Sequence, residues 1–152
     1  MKVVARLAHS PFDPTAELAE LTRSAEGDGA VVSFVGLTRD QMKDGKALQA
    51  LILEHHPRLT AKSIEQIARD ALERFAVTQV RVVHRSGRML GGEPIVFVGV
   101  SAPHRRSAFV AADYLMDRLK TEAVFWKREE TAGGSTWIEP TDDDYADTKR
   151  WE

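Results

Sequence analysis

The sequence predicts an α+β fold with a largely antiparallel sheet and about three helices. Strand-like segments come mostly in pairs, and single amphipathic helices separate the pairs, in the order β-α-β-β-α-β-β-α-β-β. Paired strands between single helices favour antiparallel pairing, whereas a doubly wound parallel sheet requires strict alternation of strand and helix. With 152 residues the chain fits one domain. We place this domain at residues 1–140 and expect the acidic C-terminal tail, residues 141–152, to be weakly structured.

The first half of the chain carries local signals for three strands and one helix. A strand covers residues 2–8. Asp13 followed by Pro14 supplies an N-cap and a proline at the first helical position. Residues 30–38 are β-branched and almost entirely apolar, which predicts a central strand, and residues 47–56 form the next strand.

The second half predicts two long helices and four strands. The clearest helix covers residues 59–77, with one continuous apolar face and Thr60 as its cap. The other helix begins at His104 and ends at Lys120. The strands cover residues 78–85, 94–102, 123–129 and 136–139, and the first two form a hairpin across a glycine-rich connection.

Composition excludes several classes of function. The formal net charge of −2 argues against a general nucleic-acid-binding protein, which usually carries a basic excess. The absence of cysteine excludes disulfides, thiolate metal sites and a cysteine nucleophile. No apolar stretch approaches the length of about 18 residues that a membrane span needs, and Arg6 interrupts the apolar start before it could form a signal peptide. We therefore expect a cytoplasmic protein without a membrane partner.

The histidines do not form a recognisable metal motif. His55 and His56 are adjacent in a predicted strand and would point to opposite faces, and there is no H-E-x-x-H motif. His84 and His104 each precede an arginine. A zinc site is conceivable, but we expect neither a metal nor a cofactor.

The start of the helix at His104 is a candidate anion site. A helix N-terminus presents free N–H groups and the positive end of the helix dipole, so His104, Arg105 and Arg106 are unfavourable there unless an anion binds. The alternative is that the two arginines only pair with surface carboxylates. Arg39 follows a predicted buried strand, where residues often line sites, although alone it would be a solvated loop residue.

Two lysines enclose the segment that joins this helix to the following strand. Lys120 closes the helix, and strand alternation puts Lys127 on the same face as Phe125. A tight turn could bring the two ammonium groups together, where each disfavours the charge of the other, whereas the helix dipole favours the charge on Lys120. Whichever effect prevails, two lysines in one pocket indicate an anionic ligand.

Several segments together resemble the large, catalytic subunit of molybdopterin synthase. They are GAVVSFVGLTRD, LEHHP, the long segment from VHRSGRMLGGEP to FWKRE, and GGSTWIE, and they span residues 29–139. The most specific parts are the His-Arg start of the helix and the Lys-x6-Lys segment that ends in Trp-Lys-Arg-Glu.

The resemblance implies an α/β-hammerhead fold and a homodimer in which each large subunit binds a small ubiquitin-like subunit, giving a heterotetramer. The small subunit ends in a Gly-Gly thiocarboxylate, whose sulfur converts cyclic pyranopterin monophosphate to molybdopterin in molybdenum cofactor biosynthesis. The resemblance implies that Lys120 and Lys127 are catalytic. The implied substrate contacts are Leu37, Thr38, Arg39, His104, Arg105, Arg128 and Glu129.

One departure from the family pattern leaves a contact in doubt. Family members can carry an arginine just after the Trp-x-Glu strand, where it contributes to the neighbouring subunit's site. This chain has Pro140 and Thr141 there, so the contact is missing or comes from another residue such as Arg150.

A sulfurtransferase without cysteine must receive sulfur already activated on a partner. Cations can then hold the anionic thiocarboxylate beside the phosphate and stabilise the leaving group. Two other classes of function remain open. One is a non-catalytic dimeric scaffold that binds a Gly-Gly tail, and the other is a metal hydrolase built on the histidines.

Overall fold

Two four-stranded sheets and four helices make up the part of the chain that the computed structural model describes, residues 2–42 and 44–152. The strands are β1 (Lys2–Ala8), β2 (Ala30–Leu37), β3 (Ala50–His55), β4 (Gln79–Arg85), β5 (Gly87–Met89), β6 (Pro94–Ala102), β7 (Phe125–Thr131) and β8 (Gly134–Ile138). The helices are α1 (Pro14–Arg23), α2 (Leu59–Arg74), α3 (Arg105–Glu122) and α4 (Asp142–Lys149). The predicted α+β class is confirmed, because every strand pair except β1–β4 is antiparallel within these residues.

The first sheet has the strand order β1-β4-β6-β2 and carries most of the core. One face of β4 and β6 presents apolar side chains, among them Val82 and Val98, to the apolar faces of α2 and α3. Helix α1 covers the opposite face, where a Cβ atom on Gly99 would come within 2.5 Å of Leu21 Cδ2. The glycine therefore lets α1 approach the sheet closely.

The second sheet has the strand order β5-β3-β7-β8 and a small core of its own. Leu51, Leu53 and Met89 form this cluster. Phe125, at the start of β7, packs against both this cluster and the main core. Phe125 therefore links the cores of the two sheets, directly after the connection between α3 and β7.

Strand β2 is an edge strand, so the prediction of a central strand is wrong. Among the described residues it pairs with β6 alone. Its side chains Phe34, Val35 and Leu37 are 43%, 38% and 56% exposed. The apolar composition that suggested burial on both sides instead leaves an apolar surface uncovered within the single chain.

The acidic tail is folded, so the prediction of weak structure is wrong. The Thr141 hydroxyl accepts a hydrogen bond from the Asp144 backbone N–H, and the Asp144 carboxylate accepts one from the Thr141 N–H, which forms a capping box at the start of α4. Beyond the helix, the Trp151 ring packs edge to face on Phe75 and Tyr114, at centroid distances of 5.9 and 5.4 Å.

Two smaller details also differ from the sequence prediction. Arg58, and not Thr60, is the N-cap residue of α2. The buried Thr60 hydroxyl instead donates to the Val124 carbonyl and accepts from the His56 N–H. The glycine-rich connection contains the short strand β5, which pairs with β3. None of the described helices is long and apolar enough to cross a membrane.

Candidate active site

The structure brings Lys120 and Lys127 to the same side of the junction between α3 and β7. Lys120 lies in the last turn of α3, and β7 begins only three residues after that helix ends. Helix α2 holds this connection, because the Val124 N–H donates to Ser63 Oγ at 3.1 Å and the Thr60 hydroxyl donates to the Val124 carbonyl. The short, fixed turn directs both lysines toward one region.

The surroundings of Lys127 disfavour the charged form of its side chain. Burial is the main reason that its pKa is lowered, and the positive charges of Lys120 and Arg39 lower it further. The carboxylates of Glu129 and Asp144 act in the opposite direction but do not restore the usual value. The lysine pair predicted from the sequence is therefore a real cluster, and Arg39 lies close enough to act on it.

His84 belongs to the same cluster, although the sequence did not indicate it. Its buried ring lies against the Phe125 ring, at a centroid distance of 4.3 Å. Burial lowers the pKa of His84 to about 4, the charges of Lys120 and Lys127 contribute, and a hydrogen bond to the Arg85 carbonyl opposes the shift. The imidazole is therefore neutral at physiological pH.

Two of the predicted substrate contacts have buried polar atoms that lack a partner in the described part of the chain. These atoms are Thr38 Oγ1 and Glu129 Oε2. Glu129 is two residues after Lys127 on β7 and therefore on the same face of the strand. Thr38 is fixed by its backbone, which bonds to Glu93 and Gly92 at 2.8 Å. Buried polar atoms without a partner are rare, and a bound water, ion or ligand group can supply the missing hydrogen bond.

The two residues beside Thr38 differ from it in exposure. The side chain of Leu37 is 56% exposed at the end of β2, and Arg39 is also exposed. The Arg39 charge nevertheless reaches Lys127. This end of β2 therefore borders the lysine cluster.

Arg128 lies on the opposite face of β7 from Lys127. Its guanidinium pairs with Glu54 at 3.6 Å and lies over the Trp137 ring at 5.8 Å. Strand alternation separates it from the lysine pocket of its own chain. Trp126 shares this outer face and is 50% exposed, and Trp137 is 59% exposed.

His104 and Arg105 lie at the other end of α3 from Lys120. With Gly29, Pro103 and Arg106 they line an open cavity of about 420 Å³. Sixteen residues of helical rise separate His104 from Lys120, which is about 24 Å. One chain therefore does not bring these two groups of predicted site residues together.

The arginines that line the cavity at the start of α3 are not neutralised by carboxylates of the described residues. Neither Arg105 nor Arg106 forms an ion pair with any residue in the ranges 2–42 and 44–152, so the surface-pairing alternative has no support. His104 is the N-cap residue, but its side chain makes no capping hydrogen bond. The close approach of Gly29 to the backbone here requires glycine, because a Cβ atom would lie 2.5 Å from the Pro103 carbonyl oxygen.

Arg150 is held by its own chain. Its guanidinium pairs with Asp117 at 2.5 Å and with Asp113 at 3.4 Å, both on α3. The suggestion that Arg150 replaces the cross-subunit arginine is therefore unsupported.

The structure offers little for a metal hydrolase. Within the described ranges, no three His, Asp or Glu side chains lie close enough together to hold a metal ion. The rings of His9 and His55 are 4.7 Å apart, but a pair alone does not make a metal centre.

Comparisons with known proteins place this geometry in a family. The family model described as MoaE protein matches residues 7–122. The molybdopterin synthase catalytic subunit of Pseudomonas aeruginosa is 45% identical over 147 residues, which are 97% of each chain. The solved molybdopterin biosynthesis MoaE protein of Burkholderia ambifaria superposes with a TM-score of 0.82 at 40% identity, covering 98% of this chain and 97% of that one.

A more distant solved structure shares the fold. It is a chain of the protein-protein complex of subunits 1 and 2 of molybdopterin-converting factor from Helicobacter pylori. Its TM-score is 0.69 at 19% identity, covering 90% of this chain and 89% of that one. The family match and the near-full-length relatives agree with the motifs that the sequence carries, and the chain belongs to the MoaE family, the catalytic subunits of molybdopterin synthase.

Proposed function

We propose that this chain is the sulfur-transferring subunit of molybdopterin synthase and acts on cyclic pyranopterin monophosphate in the cytoplasm. The observation that carries the proposal is that the charges of Lys120 and Arg39 act on the largely buried Lys127, so that three cations share one region of a chain without cysteine. Such a pocket suits two anions that must meet, a phosphorylated substrate and a thiocarboxylate. The sulfur arrives on the C-terminal Gly-Gly of a small ubiquitin-like subunit.

The chemistry needs cations more than a base. The thiocarboxylate is already an anionic nucleophile, so its sulfur can form the new C–S bond while an oxygen leaves the substrate carbon. Water must then cleave the acyl–sulfur bond, which leaves the sulfur on the substrate and releases the partner's C-terminus as a carboxylate. Lys120 is our first choice to protonate that oxygen or to stabilise the charge of the acyl-sulfur intermediate. Lys127 orients substrate and thiocarboxylate. Its lowered pKa also makes it a stronger acid than an ordinary lysine and a second candidate for the proton donor.

A second copy of the chain would complete the substrate site. Strand β2 begins beside the cavity at His104, where Ala30 pairs with Ala102, and ends at Leu37, two residues before Arg39. Its eight residues span about 26 Å, which matches the distance along α3 between the two groups of site residues. A two-fold axis near the middle of β2 would therefore set His104 and Arg105 of one copy beside the lysine cluster of the other.

Two exposed apolar surfaces fit this assembly. One is the β2 edge with Phe34 and Leu37, and the other is the outer face of the second sheet with Trp126 and Trp137. A heterotetramer needs two interfaces in each large subunit, one to its copy and one to the small subunit. The Helicobacter pylori chain that shares this fold was solved as part of a protein-protein complex of subunits 1 and 2 of molybdopterin-converting factor.

Subunit mixing tests the shared site directly. Lys120→Ala and Arg105→Ala damage different halves of the proposed site, so each homodimer should be nearly inactive. Denaturing the two variants together and refolding them should recover about a quarter of parental activity, because random pairing leaves one intact site in half of the dimers. Mixing two batches of Lys120→Ala is the matched control. No recovery in the mixed sample, with both variants folded, would contradict a site shared between copies.

Two further measurements address the partners and the scaffold alternative. Sedimentation that shows only a 16.9 kDa species at micromolar concentration would remove the homodimer. Co-purification with mass spectrometry should find a small protein ending in Gly-Gly. A scaffold would bind that protein but would not convert the pyranopterin in the presence of its thiocarboxylated form.

A further inference from the structure

Arg85, the last residue of β4, carries a buried charge that the proposed chemistry does not use. Its side chain is only 4% exposed. Nε donates to the Ser86 carbonyl at 3.3 Å and Nη2 donates to the Arg88 carbonyl at 3.2 Å, so the guanidinium lies along the start of β5. Nη1 is buried and has no hydrogen-bond partner among the described residues. A buried cation of this kind is costly unless a carboxylate lies close to it.

Glu93 supplies that carboxylate from the turn between β5 and β6. Its Oε1 lies 3.8 Å from Arg85 Nη1, which is close enough for an ion pair but too far for a hydrogen bond. Its Oε2 accepts a hydrogen bond from the Leu90 N–H at 2.5 Å, and the Glu93 N–H donates to the Leu90 carbonyl at 3.1 Å. The Glu93 side chain therefore joins the backbone of the turn to the buried cation.

The backbone of the same turn holds the residues that follow β2. The Thr38 N–H donates to the Glu93 carbonyl, and the Gly92 N–H donates to the Thr38 carbonyl, both at 2.8 Å. Within the described residues β2 pairs with β6 alone, and its register shifts just before its last residue. The positions of Thr38 and of the adjacent Arg39 therefore depend on the turn as well as on the sheet.

We propose that Arg85 is a positioning residue, which acts through Glu93 to hold Thr38 and Arg39 beside the lysine cluster. Thr38 is buried and its Oγ1 lacks a partner in the described ranges, so a displacement of this segment changes what the hydroxyl can contact. The same displacement moves the Arg39 charge, which acts on Lys127. The effect of Arg85 on substrate rests on the proposed function, whereas its hold on the segment does not.

Amide exchange tests this hold without any assay of activity. Arg85→Met keeps a long side chain without the charge, and it should speed exchange of the Thr38 N–H by about ten- to a hundredfold, the range for losing an interaction with a charged group. Glu93→Gln, at a side chain that is 30% exposed, should have the same effect, and the double variant should be no faster than either single variant. The Gly29 N–H, which bonds to the Ala102 carbonyl beside the start of β2, is the internal control and should not change. Parental exchange at Thr38 in both single variants would overturn the proposal.

A matched arginine separates this effect from a general loss of stability. Arg81 lies four residues before Arg85 on the same face of β4, is 13% exposed, and pairs with Glu17 of α1 at 2.6 Å. Arg81→Met should therefore lower the free energy of unfolding without a selective change at Thr38. Equal acceleration at Thr38 in Arg81→Met and Arg85→Met of matched stability would refute the positioning role.

The titration of Lys127 gives a second readout that a purely structural role would not change. Burial is the main cause of its lowered pKa, Lys120 contributes, and the Arg39 charge contributes less. Arg39→Gln should therefore raise the titration midpoint, followed by the ¹³Cε signal of labelled lysine, toward the ordinary value of 10.5. Arg85→Met should raise it as well, with little further effect in the Arg39→Gln background. A midpoint that stays at the parental value in Arg85→Met would contradict the proposed hold on Arg39.

Binding of cyclic pyranopterin monophosphate then shows whether the segment contacts the substrate. Arg85→Met should weaken binding about tenfold or more, and it should add little to the loss caused by Arg39→Gln. Parental binding in a variant whose Thr38 exchange and Lys127 titration have both changed would leave the hold of Arg85 established and would remove Thr38 and Arg39 from the proposed substrate site. The two proposals therefore fail separately.

Discussion

Replacing Lys127 with methionine should abolish most of the activity and at the same time stabilise the fold. The ammonium group is buried near the positive charges of Lys120 and Arg39, which is why its pKa is lowered. A lowered pKa means that the folded chain holds the charged form less favourably than the unfolded chain does. Methionine has a similar length and shape without the charge, so it removes that penalty and keeps the packing of the side chain.

The pH dependence of Lys127 ionisation gives the sign of this change in stability and its size per pH unit. Between the lowered pKa of the folded state and the ordinary value of 10.5, the unfolded chain binds more protons at Lys127 than the folded chain. The parent's free energy of unfolding therefore rises with pH in this window, by up to about 1.4 kcal/mol per pH unit. Below the window the penalty is constant and largest. The stability advantage of Lys127→Met should thus be greatest near neutral pH and shrink as the pH approaches 10.5.

Urea unfolding at several pH values, combined with single-turnover conversion, measures both consequences. Conversion should fall by about 10²- to 10³-fold, as is typical when a preorganised electrostatic contact is removed. Lys62→Met is the matched control, because Lys62 is an exposed lysine on α2, and it should change neither quantity. A Lys127→Met protein that is less stable than the parent at neutral pH, or whose advantage does not vary with pH, would refute this reasoning.

Three other substitutions should give distinct results. Lys120→Ala should lower single-turnover conversion by about 10²- to 10⁴-fold, the range for a general acid, and near-parental conversion by the folded variant would leave Lys120 an ordinary helix-end cation. Trp151→Ala should lower the free energy of unfolding by about 3 kcal/mol in urea titration, since it removes two edge-to-face ring contacts and a 2.7 Å hydrogen bond to Asp117. Thr141→Ala should cost about 1 kcal/mol and speed amide exchange in α4, and unchanged exchange there would show that the capping box is dispensable.

The sequence was sufficient for most elements because their signals are local. The N-cap at Asp13, the proline at the start of α1 and the pairing of β4 with β6 across a glycine-rich connection all follow from residues close together in the chain. The position of β2 in its sheet does not. Uniform apolar composition is shared by a strand buried on both sides and by an edge strand that another chain covers, so composition alone could not distinguish them.

The sequence indicated individual candidate site residues, but it did not indicate that these residues lie in separate places on one chain. Strand alternation was applied to Phe125 and Lys127, and the same rule would have set Arg128 on the opposite face. The length of α3 likewise places His104 far from Lys120. His84 gave no signal for its position beside the lysines, because that position depends on contact with residues some forty positions away, such as Phe125.

The departure from the family pattern after β8 has a local explanation. Where family members can carry an arginine for the neighbouring subunit, this chain has Pro140 and Thr141, and Thr141 begins α4 as its N-cap. Burial raises the pKa of Asp144, but the hydrogen bonds of the capping box with Thr141 and, to a smaller extent, the charges of Lys120 and Lys127 lower it overall. The segment therefore folds back on its own chain and brings negative charge close to Lys120 and Lys127.

Contacts of Trp151 anchor the chain just beyond the C-terminal end of α4. The Trp151 ring is held by Phe75, Tyr114 and Asp117, and Arg74 donates to the Trp151 carbonyl at 2.7 Å. An eight-residue helix with no buried side chain would not stay folded alone. The capping box fixes its start and Trp151 fixes the chain beyond its end, so the position of Asp144 beside the lysines is set by contacts at both ends of the tail. A segment with few apolar residues is in this way held in a defined position near Lys120 and Lys127.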